Sequence, residues 1–375
     1  MKNGGYIQGL PLFAKSTTIR PDSGAKIDSD PNTEGESKMV NVRCRFGWFI
    51  PAVGLLLAGL AAPANGYAQQ PKKINVVYTI VSGDSAALWV AYEKGYFRKY
   101  GLDAQLEFIT GSNQTIAAMM AGKVDFTNGG GGAVVDADLA GGDAVMIGST
   151  VPFFLMSMYS QPEIQSVQEL KGKRIAVTTL GTATDFARRI ILQKAGLNPE
   201  RDTIPLQTKG PAEILQALLS KNAEAGMVVP PLTLVARQKG LKELVDLIGA
   251  KVPYIQTSVA TSRRLIQKDP AAAENFLKAI IEAIAFEKQD PKGTKEILNK
   301  YLKNVSDDLL NETYQQFAVA MYQKYPHVSL EGIQTVLDFV KLTNEKAKTA
   351  KPEQFTDTSF MEKLEKAKFA DQFYK

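Results

Sequence analysis

The chain has 375 residues, with 44 lysines and arginines against 39 aspartates and glutamates, one histidine and one cysteine. Because basic and acidic residues are interleaved, without the basic stripe that phosphate backbones require, we predict no nucleic-acid partner. A single histidine and a single cysteine exclude a metal site built on several His or Cys ligands, and we expect no metal and no cofactor.

An export signal is predicted at residues 39–68. Arg43 and Arg45 supply a basic start, residues 48–62 form an uncharged apolar run, and Gly66-Tyr67-Ala68 has the small-x-small pattern of a cleavage site. The apolar run is shorter than the roughly 20 residues that a membrane-spanning helix needs. We therefore predict a cleaved signal peptide and a periplasmic protein rather than a membrane anchor.

The signal peptide divides the chain into a leader and a mature part. Residues 1–38 are polar and have no periodicity, and we interpret them as a leader or a misassigned start. Cys44 lies ahead of the apolar run, so a mature chain that begins near Gln69 has no thiol, no disulfide and no thiolate nucleophile. Of the charged residues, 7 basic and 5 acidic precede Gln69, which leaves a near balance of 37 and 34.

The mature chain alternates apolar strand-like runs with helical stretches, the order typical of an α/β protein with largely parallel sheets. The predicted strands are 74–80, 104–109, 124–126, 145–149, 174–178, 203–207 and 225–229. The predicted helices between them are 86–92, 115–121, 133–139, 185–194 and 212–219. After Pro253 we predict mainly helices, at 271–289, 294–302, 307–324, 330–348 and 359–368.

The two halves of the α/β region are similar to each other. Gly101-Leu102 and residues 116–120 in the first half correspond to Gly196-Leu197 and residues 214–218 in the second. Both halves have the order helix, glycine turn, strand, cap, helix and strand. One repeat of this size is typical of two related α/β units and not of a solenoid, which needs several short copies. We predict two Rossmann-like lobes that face each other across a cleft.

Small polar residues and glycines recur where predicted strands lead into helices. In open α/β sheets, ligands bind outside the carboxyl ends of the strands, where helix N-termini present N–H groups that favour anions. The candidate ligand-binding residues are Ser82, Gly83, Asp84, Ser85, Gly111, Ser112, Asn128, Gly129, Gly130, Thr179, Gly181, Thr182, Ala183, Thr184 and Pro230. The alternative at each junction is that the side chain only caps its helix. Because the pattern recurs in both halves, we predict one cleft for a small organic anion.

A search for catalytic motifs finds no Gly-x-Ser-x-Gly elbow, no phosphate-binding Gly-Lys-Ser/Thr loop and no His-Glu-x-x-His helix. The four glycines at 129–132 lack the spacing of a dinucleotide fingerprint, and they form either a close approach to a ligand or a flexible turn. We expect a surface or packing role for His327. Arg188 and Arg189 could pair with a ligand anion, although most arginines on helices are solvated.

Four stretches of the mature chain carry a family resemblance. They are AYEKGYF at 91–97 with Gly101-Leu102, residues 117–126, LKGKRIAV at 170–177, and GTATDFAR at 181–188. With these stretches the chain resembles the nitrate, sulfonate and taurine class of ABC transporter periplasmic substrate-binding proteins, which also includes binders of thiamine pyrimidine precursors. The resemblance is weaker at 225–229 and at the tetraglycine run, where we expect ligand identity to be decided.

The resemblance implies a type II periplasmic binding protein fold, with two Rossmann-like α/β lobes, a hinge and a helical C-terminal region. It places lobe I at residues 69–157 plus 253–375 and lobe II at 158–252, with crossing segments near 157–164 and 252–257. It also implies a small-molecule ligand bound between the lobes, and an ABC permease with its ATPase as the partner that receives the ligand. We expect a monomer.

Two alternative functions are compatible with the same fold. An enzyme of the pyrimidine-precursor synthase type would require a cysteine and histidine set that the mature chain does not have. A ligand-sensing binding protein, which presents its closed form to a receptor, shares the sequence features of a transport protein. The sequence therefore predicts ligand binding without catalysis.

Overall fold

The computed structural model describes residues 70–303 and 305–374, so the predicted leader at 1–38 and signal peptide at 39–68 lie outside the described residues. Ten strands in this part of the chain form two five-stranded sheets. The strands are β1 Lys72–Tyr78, β2 Leu102–Phe108, β3 Phe126–Gly129, β4 Ala144–Phe153, β5 Ser157–Ser160, β6 Arg174–Val177, β7 Ile204–Gln207, β8 Ala225–Val228, β9 Lys242–Asp246 and β10 Pro253–Ser262.

The two sheets have the same topology. The first has the order β2-β1-β3-β10-β4 and the second the order β7-β6-β8-β5-β9. In each sheet the first three strands are parallel, and the fourth is antiparallel to both of its neighbours. The predicted repeat of two α/β units is therefore confirmed. The sequence analysis missed β5, β9 and β10, which lie within or beside the segments that we had assigned to the crossings.

Thirteen α-helices accompany the sheets in the described ranges. They are α1 Ala86–Glu93, α2 Tyr96–Lys99, α3 Ser112–Met120, α4 Gly131–Leu139, α5 Ala183–Lys194, α6 Pro211–Leu219, α7 Leu232–Gln238, α8 Arg263–Lys268, α9 Pro270–Gln289, α10 Pro291–Leu302, α11 Asp307–Tyr314, α12 Leu330–Val340 and α13 Ser359–Lys366. A π-helix, Gln315–Met321, continues α11 where one long helix was predicted. Among the described residues, no helix combines the length and the hydrophobicity that crossing a membrane requires.

Two short segments connect the sheets. The chain leaves β4 for β5 through residues 154–156 and returns from β9 to β10 through residues 247–252. The backbone N–H of Phe154 donates to the carbonyl oxygen of Val252 at 3.0 Å, so the two connections run side by side. Both come a few residues earlier than predicted, because β5 and β10 occupy the predicted segments. We use lobe I for 70–157 with 253–374 and lobe II for 158–252, a division that stays a prediction.

The helices of the C-terminal region form part of the lobe I core. The ring of Trp89 on α1 stacks on Tyr301 of α10, with 4.6 Å between the ring centroids. Phe126 of β3 stacks on Phe276 of α9 at 4.3 Å. All these rings except that of Tyr301 are fully buried. Aromatic pairs at this distance stabilise the fold by about 0.5–1.5 kcal/mol beyond their area burial, so α9 and α10 hold the first sheet in place.

A buried ion pair fixes the first turns of α5 in lobe II. The side chains of Arg188 and Asp185 are fully buried, and Arg188 Nη2 donates to Asp185 Oδ1 at 2.8 Å. Arg188 Nη1 donates to the carbonyl oxygen of Pro199 at 2.9 Å, and Arg189 Nε donates to Asp185 Oδ2 at 2.8 Å. The guanidinium of Arg188 is therefore enclosed within the lobe. The hypothesis that Arg188 pairs with a ligand anion is wrong.

A second buried acid, Glu287 of α9, has no such partner. Neither of its carboxylate oxygens has a hydrogen-bond partner among the described residues. Burial raises the pKa of Glu287 well above its usual range, although the neighbouring Lys288 opposes this effect. The side chains of Tyr314, Tyr322 and Tyr374 lie close enough for the charge of Glu287 to raise their pKa values. Ionisation of Glu287 is therefore unfavourable in the folded state.

Replacement of Glu287 by glutamine is expected to stabilise the protein at neutral pH. Because the folded-state pKa is raised, the wild type loses stability as the pH rises above the unfolded value of about 4.3, and the Glu287→Gln variant does not. We expect a gain on the order of 1 kcal/mol at pH 7.5 that shrinks toward pH 4. Thermal unfolding between these pH values measures it. The exposed Glu296→Gln is the control, and equal pH profiles for both variants would contradict the prediction.

Replacement of Arg188 by methionine is expected to destabilise lobe II. The change keeps the length of the side chain but leaves the carboxylate of Asp185 buried with less compensation, which costs about 3–5 kcal/mol in comparable pairs. Urea unfolding measures the loss. Arg201→Met, at an exposed position that follows α5, should change stability by less than about 0.5 kcal/mol. A small effect at Arg188 would show that its charge is not needed by the fold.

Candidate functional site

Six helices begin where a parallel strand ends. In lobe I, β1, β2 and β3 lead into α1, α3 and α4, and in lobe II, β6, β7 and β8 lead into α5, α6 and α7. All six helices lie within the described residues, and in none of them does the N-cap side chain accept a hydrogen bond from a helix N–H group. The carboxyl edge of each sheet is therefore lined by helix N-termini without side-chain caps.

The helices of the C-terminal region differ from these six. The N-cap side chains of α8 to α12 all accept a hydrogen bond from a backbone N–H of their helix. These caps are Ser262, Asp269, Asp290, Ser306 and Ser329. The sequence analysis had left open whether the junction residues of the α/β lobes are also simple caps. For Ser85 and Thr182, the two N-caps among them with a hydroxyl, the side chain bonds to a loop carbonyl and does not cap the helix. The other four N-caps are glycine or proline.

Two of the lobe II helices contact lobe I. Phe186 of α5 stacks on Phe339 of α12, with 5.0 Å between the ring centroids. On α7, Arg237 Nη2 donates to Glu312 Oε1 of α11 at 2.8 Å. Phe186 lies in the first turn of α5, so the junction after β6 lies near lobe I, whereas Arg237 lies in the last turn of α7. That the junction residues of both lobes border one cleft stays a prediction.

The first junction of lobe I contains a buried carboxylate. Asp84 is 1% exposed, and its Oδ2 accepts a hydrogen bond from Thr257 Oγ1 of β10 at 2.8 Å. Asp84 Oδ1 has no partner among the described residues. Burial raises the pKa of Asp84 to about 6, against the opposing effect of hydrogen bonds from Thr257 and Ser82. The site thus has a carboxyl group that ionises near neutral pH.

Ser85 links this junction to the end of β3. The Oγ of Ser85 donates to the carbonyl oxygen of Ile80 at 3.0 Å and lies 3.4 Å from Asn128 Oδ1. Asn128 is 1% exposed, and its Nδ2 has no partner among the described residues. The structure therefore brings together Ser82, Asp84, Ser85 and Asn128, as expected for residues at one sheet edge.

A second contact joins α3 to the tetraglycine run. Ser112 Oγ accepts a hydrogen bond from the backbone N–H of Gly130 at 2.9 Å and lies 3.4 Å from Thr79 Oγ1. A Cβ atom at Gly129 would lie 2.7 Å from Thr79 Oγ1, so only glycine fits there without a shift. The start of α3, with Gly111 at φ +96°, thus packs on the end of β3. The run ends a strand and begins α4, so of the two alternatives for it the flexible turn is wrong, and the close approach to a ligand stays a prediction.

A cluster of three threonines forms the first junction of lobe II. Thr178 Oγ1 lies 2.8 Å from Thr184 Oγ1 and 3.0 Å from Thr182 Oγ1. Thr182 Oγ1 also donates to the carbonyl oxygen of Thr179 at 2.7 Å. Thr179 and Gly181 are exposed, whereas Thr184 is buried. Of the predicted residues, Thr179 and Gly181 are thus the most accessible, and Thr184 holds the loop.

The remaining predicted residues have supporting positions. Gly83 is buried, and its carbonyl oxygen accepts a hydrogen bond from Tyr322 Oη at 2.7 Å. A side chain at Gly83 would overlap the ring of Phe317 in the π-helix, so this residue lets the loop pack closely on the C-terminal region. Ala183 is half-buried at the start of α5, and Pro230 is buried next to a cis peptide bond with Pro231. None of these contacts tests ligand binding.

Sequence reasoning missed the residues that β10 contributes. Thr257 holds the carboxylate of Asp84, and the neighbouring Gln256 has an Oε1 atom without a partner among the described residues. We had assigned both to a crossing segment. No local pattern marks them, because β10 joins the first sheet from a position more than a hundred residues after β3. The polar run 256–258 between the apolar residues 254–255 and 259–260 of the strand is the signal that could have found them.

Two pockets at the surface lie away from these junctions. One, of about 640 Å³, is lined by residues of β4, α8 and the region around α13, including Arg263 and Thr356. The other, of about 500 Å³, is lined by Lys251, Lys288 and His327 among others. His327 Nε2 lies 2.8 Å from Glu365 Oε2 at the surface. Neither pocket includes a predicted ligand-binding residue.

Comparison with known proteins gives relatives that are named as binding proteins. A protein of Brucella abortus (strain 2308), named as a binding protein, is 29% identical over 219 residues, which are 57% of this chain and 66% of that protein. The chain thus spans slightly less than two thirds of that relative. The family model described as NMT1/THI5 like matches residues 82–294, more than half of the chain.

Solved structures are similar in fold. The periplasmic aliphatic sulphonate binding protein SsuA from Escherichia coli has a TM-score of 0.62 and 19% identity, over 76% of this chain and 95% of SsuA. The periplasmic nitrate-binding protein NrtA from Synechocystis PCC 6803 has a TM-score of 0.62 and 14% identity, over 79% of this chain and 89% of NrtA. The predicted periplasmic binding protein fold is therefore confirmed. With this fold and the matched residues 82–294, the chain belongs to the NMT1/THI5-like family.

Proposed function

We propose that this chain is the extracytoplasmic solute-binding component of an ABC importer. It captures a small organic anion, of the sulfonate or carboxylate type, between its lobes and delivers it to a permease driven by an ATPase. The observation that carries the proposal is the set of six helix N-termini without side-chain caps at the carboxyl edges of the two sheets. The proposal includes a periplasmic location and a monomeric state.

The helix N-termini support an anionic ligand. The first N–H groups of an α-helix have no partner within the helix, and the helix dipole adds partial positive charge at the same end. A carboxylate or sulfonate at such an end is stabilised by both effects. SsuA and NrtA, which share the fold, are named for binding sulphonate and nitrate. In the proposed site the backbone supplies the positive potential, since Arg188 and Arg189 are paired within lobe II.

The contacts between the lobes support capture by closure. The ion pair of Arg237 with Glu312 and the stacking of Phe186 on Phe339 both cross the cleft. A ligand that contacts both lobes shifts the equilibrium toward the form in which these contacts exist. The binding energy is then used for closure and not for a chemical step. A binding role without catalysis also agrees with the single histidine of the chain, which lies at the surface beside Glu365.

A ligand panel tests the proposed anion. We expect sulfonates or carboxylates to raise the Tm of the mature chain, because a ligand bound only by the folded state stabilises it. At about a hundred times the Kd, the stabilisation is roughly 2.7 kcal/mol. Thermal unfolding with sulfonates, aliphatic and aromatic carboxylates, nitrate and pyrimidines measures it. The anion proposal fails if only neutral or cationic compounds raise the Tm.

Alanine substitutions at Thr182 and at Ser85 test whether these two hydroxyls serve ligand binding or only stabilise their helices. Both variants should weaken ligand binding by about tenfold, the equivalent of 1.4 kcal/mol, because each loses a hydroxyl that holds a junction loop of the proposed site. Their unliganded stability should stay within about 1 kcal/mol of the wild type. Ser262→Ala is the control, since Ser262 caps α8 and should lose about 1 kcal/mol of stability without a change in affinity. Calorimetric titration with the best anion of the panel measures the affinities. Unchanged affinity in both cleft variants would exclude these hydroxyls from the site.

A further inference from the structure

Three buried polar atoms at the carboxyl edge of the lobe I sheet have no hydrogen-bond partner among the described residues. They are Asp84 Oδ1, Asn128 Nδ2 and Gln256 Oε1. An unsatisfied buried polar atom is costly, and folded proteins have few of them. Three at one edge, on residues from three different strands or junctions, therefore indicate a place where a ligand completes the hydrogen bonding.

The three residues are connected through their neighbours in the chain. Asp84 is bonded to Thr257, the residue after Gln256, and Ser85, the residue after Asp84, contacts Asn128. Asp84 and Asn128 are thus held on neighbouring parts of the same edge, which borders the proposed cleft.

The negative charge of Asp84 determines which chemical group of a ligand can bind at its Oδ1 atom. The groups that lower its pKa are the side chains of Thr257 and Ser82 and backbone N–H groups, and no cation is among them. The carboxylate is therefore stabilised only by hydrogen bonds from uncharged donors, and its Oδ1 atom has no partner among the described residues. An anionic group placed at Asp84 Oδ1 would be repelled, and an ether or hydrocarbon would leave the oxygen unpaired. A protonated amine supplies both a hydrogen bond and the opposite charge.

We propose that Asp84 is a specificity-determining residue, and that its Oδ1 accepts a hydrogen bond from a protonated amine of the ligand. Asn128 Nδ2 donates to an acceptor on the same ligand. The inference rests on the proposed function, in which the helix N-termini hold an anionic group. The transported solute then carries an amine in addition to the anionic group.

Matched compounds separate this inference from the proposed function. The probes are 3-aminopropanoate with propanoate, 3-aminopropanesulfonate with propanesulfonate, and 1-aminopropane as an amine without an anionic group. Binding to the mature wild-type chain and to Asp84→Asn is measured by calorimetric titration and Tm at pH 7.5, where the carboxyl of Asp84 is mostly ionised. Asp308→Asn, at an exposed position of α11, is the control for a change in net charge.

The expected result is at least a tenfold preference of the wild type for the amino member of each pair that binds. In Asp84→Asn this preference should disappear, and in Asp308→Asn it should persist. Equal affinity for both members of a pair, unchanged in Asp84→Asn, overturns the role of Asp84 and leaves the anion proposal intact. Binding of 1-aminopropane without binding of the simple anions keeps the role of Asp84 and overturns the anion proposal. If no probe binds, both are wrong for ligands of this size.

A second variant covers the case in which Asp84→Asn does not fold. Thr257→Val keeps the shape of the side chain and removes the hydroxyl that orients the carboxylate of Asp84. The amino preference should then fall, while the affinity for simple anions stays as in the wild type. An equal loss of affinity for both members of a pair would indicate a general distortion of the cleft and would contradict the role that we assign to Asp84.

Discussion

The direction of the parallel strands is the constraint on which the rest of the structure depends. A parallel strand can be followed by its neighbour only after a crossover, so every helix that follows such a strand begins at the same edge of the sheet. In this chain the rule applies three times in each lobe. Junctions that are far apart in the sequence, such as Ser85 and Asn128, are in contact for this reason. The sheet topology alone therefore determines that these junctions lie together at one edge of each sheet.

The buried charges of the molecule differ in how they are compensated. Asp185 is bonded to two arginines and to the backbone of Gly181, and its pKa is lowered in spite of burial. Among the described residues no cation lies within hydrogen-bond distance of Asp84 or Glu287, and burial raises both pKa values. The first arrangement is typical of a structural ion pair. A buried carboxylate without a cation lowers the stability of the protein in the absence of a ligand. Asp84 is such a carboxylate, and it lies at the sheet edge where ligands bind in open α/β sheets.

Most of the fold could be predicted from the sequence, because it depends on local patterns. The alternation of apolar runs and helical stretches located seven strands, and the similarity between Gly101-Leu102 and Gly196-Leu197 indicated the repeat. Long helices after Pro253 were also predicted, and the structure shows Asp269 and Ser329 as the caps of two of them. The exact ends were less accurate, since helix α3 begins three residues before its predicted start.

The side-chain contacts of the site could be predicted only in part. Small polar residues at the junctions predicted a site at the carboxyl edge of each sheet, and this location stays a prediction. Their partners depend on long-range packing, as with Thr257, which reaches Asp84 across 173 positions. The orientation of Arg188 depends on the loop at Pro199, which no helical pattern reveals. Whether a hydroxyl caps a helix or bonds elsewhere is likewise a property of the folded neighbourhood.

The hydrogen bond between Phe154 and Val252 has a consequence for how the lobes can move. Two lobes joined by a single flexible segment can rotate and translate relative to each other in several independent directions. Two connections that are bonded side by side suppress most of these motions and leave mainly a rotation about one axis. Substitutions in either lobe can then change which ligand is bound without changing the direction in which the lobes close. Under the proposed function, a membrane partner that recognises the closed shape would accept such variants, and ligand choice and docking would then be separable.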